Sequence, residues 1–405
     1  MVTPNVSNTE PFRWVIAAMW FAIYFFSSLA FFCMPPLFAE ISRDIPLTKV
    51  QMGIIFGMNP LASLFLAFIA GSISDRFGSR WVVGAAFLLI TVAGGLRATS
   101  HSVLDLIIFA FLMGVGTAFF GPNVPKVLGT WFPKEELGKA NGFVMTAIPL
   151  GGAAAIASSA SILSPAFGGW RGVMVACAVI CLVVTVLWMI LYREKEIDGV
   201  DGKQTQAFSS NFKNVLKVKD IWLLAIFFGF YLAACGTVTG LLPVILTEKG
   251  VNRPGEIVSL FMWIGIVSTP LGGIAIDKFD RRKPFLIVGA IVMAAVYPLL
   301  VITQGAGLII ALLVLGMAAG IIVPLKTLLP VEIEGIGPRL AATAFGFMMM
   351  LGFAMGFLGP TISGKIMDVT GSALPAFIMM AVCMLVAACI AIPMKETGKQ
   401  TNTGN

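Results

Sequence analysis

Apolar runs of about twenty residues recur from one end of this chain to the other, each long enough to cross a hydrocarbon core about 30 Å thick as a helix. Twelve can be drawn. The first six run Trp14 to Phe38, Gln51 to Ser74, Trp81 to Thr99, Leu104 to Trp131, Asn141 to Leu163 and Gly172 to Leu191. The last six run Ile221 to Leu246, Ile257 to Ile276, Pro284 to Thr303, Leu308 to Leu329, Ala341 to Ser363 and Ala373 to Ile392. Water cannot be the main solvent of such a chain, because 58% of its residues are hydrophobic and 12% charged, about half the charge of a soluble domain. Within lipid every backbone N–H and C=O needs an internal partner, which leaves helices or a closed barrel. The period-two alternation of barrel strands is missing. The expected fold is therefore an all-α integral membrane protein of twelve transmembrane helices.

Lysine and arginine set the topology. If both ends lie inside, only Arg43, Lys49, Arg97, Arg171, Lys249, Arg253 and Lys365 of the 27 basic residues face out. Both termini are thus predicted to be cytoplasmic, in a cell inner or plasma membrane. The chain divides into a six-helix half at 1–192, a cytoplasmic linker at 193–220 and a second six-helix half at 221–405. The net charge of +7 follows from this bias and from membrane lipids, with no nucleic acid required. The first apolar run is too long for a cleavable leader and should stay as the first span. Cys33, Cys177, Cys181, Cys235, Cys383 and Cys389 all fall in apolar runs, as packing residues do.

The two halves echo each other. Gly71, Asp75 and Arg76 after the second run return as Gly273, Asp277 and Lys278 after the eighth. Gly116 and Lys126 have the spacing of Gly316 and Lys326, and Tyr24 and Pro36 that of Tyr231 and Pro243. Inverted or parallel repeats of this kind belong to carriers that rock two halves about a central site.

The stretch from Gly71 through Asp75, Arg76 and Gly78 to Arg80 resembles the signature loop of the major facilitator superfamily, departing at Ser79, where a basic residue is usual. The likeness extends over essentially the whole chain. It implies that Asp75 pairs with neighbouring helices to hold one conformational state, and that Gly71, Asp75, Arg76, Gly78 and Arg80, with Gly273, Asp277 and Arg281 of the second copy, form a conformational switch. Asp280 stands where the second copy should have glycine, which suggests a looser copy. A weaker similarity, carried by Gly121, Pro122, Pro125 and Lys126, by Gly168 to Arg171, and by Gly359, Pro360 and Asp368, is to the organic-anion and monocarboxylate-type carriers of that superfamily.

Ionisable groups inside a span cost about 2.5 to 3.5 kcal/mol on insertion scales, so each is a functional candidate. Lys126 and Lys326 sit in corresponding spans and can meet an anionic solute from both halves, or their stems can snorkel to the interface. Tyr24 and Tyr231 offer a hydroxyl and an apolar ring. Asn123 is a further candidate for substrate contact, and Asn59 is expected to bond between helices. Arg97 lies near an outer end, where snorkelling is favoured. No Asp or Glu falls at the middle of a run, which disfavours an organic cation as cargo. There is no phosphate-binding loop, no metal-ligand cluster and no catalytic constellation, so neither an enzyme nor a cofactor is expected. The expected function is a secondary transporter, symporter or antiporter, that moves a small organic anion by alternating access, with a proton as one coupling option, acting as a monomer. The alternatives are an exporter of neutral hydrophobic compounds and a membrane sensor that does not turn over.

Overall fold

The computed structural model describes residues 10–194 and 212–397; most of the linker expected at 193–220 lies outside these. Among the described residues there is no strand, and twelve helical spans are long and apolar enough to cross a membrane. They are α1 (Phe12–Asp44), α2 (Lys49–Phe77), α3 (Ser79–Thr99), α4 (Val103–Trp131), α5 (Lys134–Phe167) and α6 (Trp170–Leu191), then α7 (Lys219–Glu248), α8 (Pro254–Phe279), α9 (Lys283–Ile302), α10 (Ala306–Glu332), α11 (Gly337–Thr370) and α12 (Leu374–Ala391). The protein is a multi-pass membrane protein. Several spans outrun their apolar runs, α1 as far as Asp44, because their polar ends continue as helix beyond the hydrocarbon.

Local sequence explains where the spans start and bend. A capping box of Thr48 and Gln51 opens α2, and one of Ser102 and Asp105 opens α4, each satisfying backbone donors that a helix start leaves free. Proline cannot donate to the turn before it. So α1 is interrupted at Cys33 just ahead of Pro35 and Pro36, α4 at Phe119 ahead of Pro122, and α10 around Val323 and Pro324. Pro243 is absorbed inside a continuous α7. The breaks in α4 and α10 put Lys126 on the segment Phe120–Trp131 and Lys326 on the segment Leu325–Glu332.

Some outer faces meet lipid. Val175, Val179, Leu182, Val186 and Ile190 form an exposed stripe on α6, as do Ile378, Val382 and Leu385 on α12, the three-and-four spacing of one helix face. Inside, α1 packs on α5 and α6, α2 on α4, α8 on α10, and α7 on α11 and α12. The first six spans meet the last six along α2 with α11, α5 with α8, and the second segment of α1 with α7.

Candidate functional site

These cross-contacts are concentrated at one end of the bundle. Among the described residues, every hydrogen bond and ion pair joining the first six spans to the last six lies at the end opposite the two termini. There the Asp368 carboxylate of α11 accepts from the backbone N–H groups of Lys49 and Val50, both at 2.9 Å, and Lys49 also pairs with Glu248. Asp368 thus caps the N-terminus of α2, where a carboxylate is electrostatically favoured. Close approach of backbones completes the seal: a methyl on Gly53 would collide with the Pro360 carbonyl, and one on Gly364 with that of Lys49. Phe31 stacks on Phe56 at 4.8 Å, and the Phe56 ring closes against Gly240 of α7. Among the described residues no hydrogen bond or ion pair joins the two halves at the terminal end, so the bundle is closed at the opposite end and parted at the terminal end.

The signature loop sits at the parted end. Gly78 has φ +80°, a left-handed backbone open to glycine at little cost, and the Glu194 carboxylate lies where its side chain would be. That carboxylate accepts from the Ser79 N–H at 2.6 Å and the Arg80 N–H at 3.3 Å, capping α3. Arg80 donates to the Met189 carbonyl of α6 and lies over the Trp81 ring, whereas Arg76 is exposed over Phe77. Gly71 approaches only Pro122, at an ordinary 3.9 Å. Asp75 reaches none of its own loop's arginines: it accepts from Lys126 of α4 at 2.8 Å. The same ammonium donates to the Ser74 carbonyl at 3.1 Å. Asn123, one turn earlier and fully buried, donates to the Ser74 hydroxyl at 2.7 Å and to the Phe119 carbonyl at 2.8 Å. Lys126, Asn123 and Asp75 therefore make one tie between α4 and the end of α2.

The second copy is tied differently. Asp280 occupies the position of Gly78 and also has a positive φ, +51°, but with ψ 30° it is left-handed helical where Gly78, with ψ 150°, is not. The two turns therefore differ in shape, and aspartate bears its own at small cost. Glu396 accepts from the Arg282 N–H at 2.6 Å, just as Glu194 caps α3. Arg282 itself is 7% exposed and forms a fork with Glu332 of α10, at 3.1 and 3.2 Å, while donating to the Ile276 carbonyl at 2.8 Å. Asp277 and Arg281 are exposed with no hydrogen bond or ion pair among the described residues, and a side chain on Gly273 would meet open space. Lys326, six residues before Glu332, is half-buried and likewise has no hydrogen bond or ion pair from its ammonium among the described residues. It is within electrostatic range of the Cys235 thiol on α7, and Cys235 lies beside the Tyr231 hydroxyl. Tyr231 donates to the Ala319 carbonyl of α10 at 3.1 Å.

Tyr231 is thus tied to α10 and Lys326 lies within electrostatic range of Cys235, one turn along α7 from Tyr231, whereas Lys126 and Asn123 are drawn to the switch. Tyr24 packs its ring against Phe120 at 5.6 Å and Trp20 at 5.9 Å. Asn59 accepts from Thr117 at 3.3 Å, the expected bond between α2 and α4. Arg97 departs from expectation: it is 2% exposed and turns inward to the Ala30 carbonyl of α1 at 2.7 Å. Reasoning from sequence missed Glu194, Glu396, Arg282 and Glu332. One signal was present, since the offset between Asp75 and Asp277 also separates Glu194 from Glu396 and Arg80 from Arg282.

Comparison with known proteins adds a frame. The sequence profile of the Major Facilitator Superfamily matches residues 20–360. The chain is 25% identical over 362 residues to the hexuronate transporter of Bacillus subtilis (strain 168), covering 84% of each. It is 26% identical over 358 residues to the probable nitrate transporter NarT of Staphylococcus carnosus (strain TM300), covering 85% of this chain and 87% of that one. Among solved structures, a bacterial homolog of the human lysosomal transporter Spinster, inward-facing and occupied, superposes with a TM-score of 0.80 at 15% identity over 94% of this chain and 96% of its own. The nucleoside transporter NupG does so with a TM-score of 0.76 at 12% identity, over 94% and 99%. At these identities the structures show the fold alone.

Proposed function

The chain belongs to the major facilitator superfamily, a family of membrane transporters and not of enzymes, and on that premise we propose that it carries a small carboxylate-like or comparably small inorganic anion by alternating access. The observation that carries the anion reading is Lys326. A half-buried ammonium with no acidic partner among the described residues, lodged between α7 and α10, attracts an anion by about 4 kcal/mol at 4 Å and an effective dielectric near 20. The hexuronate and nitrate relatives transport anions by name, which supports the same class here. Tyr231 and Cys235 line the approach, Tyr24 faces from the first half, and Lys126 acts on the site through its tie to Asp75.

The moving bodies are residues 1–192 and 221–405, joined by 193–220. With the termini in the cytoplasm of a cell whose inner or plasma membrane holds the protein, the sealed end is external and the parted end faces inward. The cycle then breaks the Asp368 cap on α2 as the outer end opens and re-forms contacts at the signature loop as the inner end closes. The carrier works as a monomer, driven by its solute's gradient, by exchange or by a proton. Uptake of labelled nitrate, glucuronate and small monocarboxylates into proteoliposomes tests this. At least one anion should enter faster than into protein-free vesicles and show counterflow. Silence towards every anion, with transport of a neutral hydrophobic compound, would overturn it.

A further inference from the structure

Arg97 is the most deeply buried cation of the first six spans, and neither the signature loop nor the Lys326 site uses it. The residue is 2% exposed, and its guanidinium makes no ion pair among the described residues. A guanidinium carries five N–H donors; here one goes to the Gly94 carbonyl at 3.4 Å and one to the Ala30 carbonyl at 2.7 Å. Its charge reaches the thiols of Cys33, Cys177 and Cys181, the first of them within hydrogen-bonding reach, and it forms no salt bridge with a carboxylate among the described residues. Beside it lies a cavity of about 10 Å³ bordered by Phe31, Met34, Ile55, Phe56, Ala110 and Met113. That is the room one water-sized ligand needs. Every other bordering side chain is apolar, so a water there could accept from the guanidinium but would find no side-chain acceptor for its own two protons. A buried cation without a counter-charge is costly, and a monatomic anion resolves both problems. It takes two parallel N–H donors from the guanidinium and tolerates apolar contact elsewhere, while the flexible Met34 and Met113 adjust to its radius.

We propose that Arg97 and this cavity form a buried site for a chloride-sized monatomic anion, behind the Phe31 and Phe56 pair at the sealed end and separate from the transported solute's site. The bound ion neutralises Arg97 and stabilises the packing of α1, α2, α3 and α4. Thermal unfolding of the purified full-length protein is measured in sodium chloride, sodium bromide and sodium gluconate at equal ionic strength. Chloride and bromide should raise the midpoint in a saturable way, and gluconate, too large for the cavity, should not. Arg97→Gln should lose the halide effect. Ala110→Val, which fills the cavity and leaves Arg97 in place, should lose it as well, so the proposal stays open to refutation even if Arg97→Gln does not fold. Lys326→Gln should keep it, which separates this site from the transport reading. Equal midpoints in chloride and gluconate would mean a water only and would overturn the proposal, as would a halide effect that survives Ala110→Val.

Discussion

The two copies of the signature loop solve the same mechanical problem with different residues. In the first, the turn between α2 and α3 is tied to α4 by Asp75 and Lys126, a pair with side chains 69% and 31% exposed. In the second, the turn between α8 and α9 is tied to α10 by the buried Arg282 and by Glu332. One consequence is chemical. Because Arg282 and Glu332 hold the second turn, Lys326 is left without an acid, whereas its counterpart Lys126 is occupied. Repeat-equivalent lysines thereby have unlike surroundings: Lys126 is paired with Asp75, and Lys326, which has no acidic partner among the described residues, is the one proposed to meet the solute.

The largest effect on stability is expected where the tie is buried. Glu332→Gln leaves the Arg282 charge without its fork and should destabilise the protein by about 1–3 kcal/mol, read as a lower unfolding midpoint in detergent. Asp75→Asn breaks an exposed pair and should cost less than about 1 kcal/mol. If the two variants unfold alike, the contrast between the ties is wrong.

Turnover sharpens the contrast in the other direction. Asp75→Asn removes a tie within the first half that holds the signature loop in the shape it presents to the second half when the inner end closes, so it biases the conformational equilibrium more than the site. Its maximal rate should fall about tenfold, a bias of about 1.4 kcal/mol, with a smaller change in half-saturation. Asp277→Asn, at an exposed position with no partner among the described residues, should stay within about twofold in the same assay. Equal slowing by both would make the second copy a working switch.

The smallest effect concerns the turn itself. Asp280→Gly relieves a left-handed backbone that costs most L residues about 1–2 kcal/mol and aspartate less, so the midpoint should rise slightly with transport unchanged. A fall would mean that the weak contact of Asp280 with Arg282, 3.9 Å, outweighs the backbone term.

Much of this was legible in the sequence. Hydropathy alone fixed twelve spans, since lipid allows few alternatives, and the repeat placed Lys126 beside Lys326 in register. The partner of each lysine was not legible. Asp75 meets Lys126 only because α4 breaks at Phe119 and re-aims its last segment, and a periodic pattern does not report the angle of a break. Arg97 misled for a related reason. Its place near a span end suggested an interfacial head group, but the short 3₁₀ turn at Arg97–Thr99 carries its side chain inward to Ala30. Glu194 and Glu396 were hidden in charged segments read as topology signals, although their shared offset with the signature loop marked them.

The central claim is that Lys326 binds the solute and Lys126 does not. Its most direct test is the half-saturation concentration of the transported anion for Lys326→Gln and Lys126→Gln, purified and reconstituted in parallel with matched amounts of folded protein. Lys326→Gln should raise it tenfold or more, a loss of about 1.4 kcal/mol or greater. Lys126→Gln should lower the maximal rate and leave half-saturation within about threefold. An unchanged value in Lys326→Gln, or a tenfold rise confined to Lys126→Gln, would contradict the account.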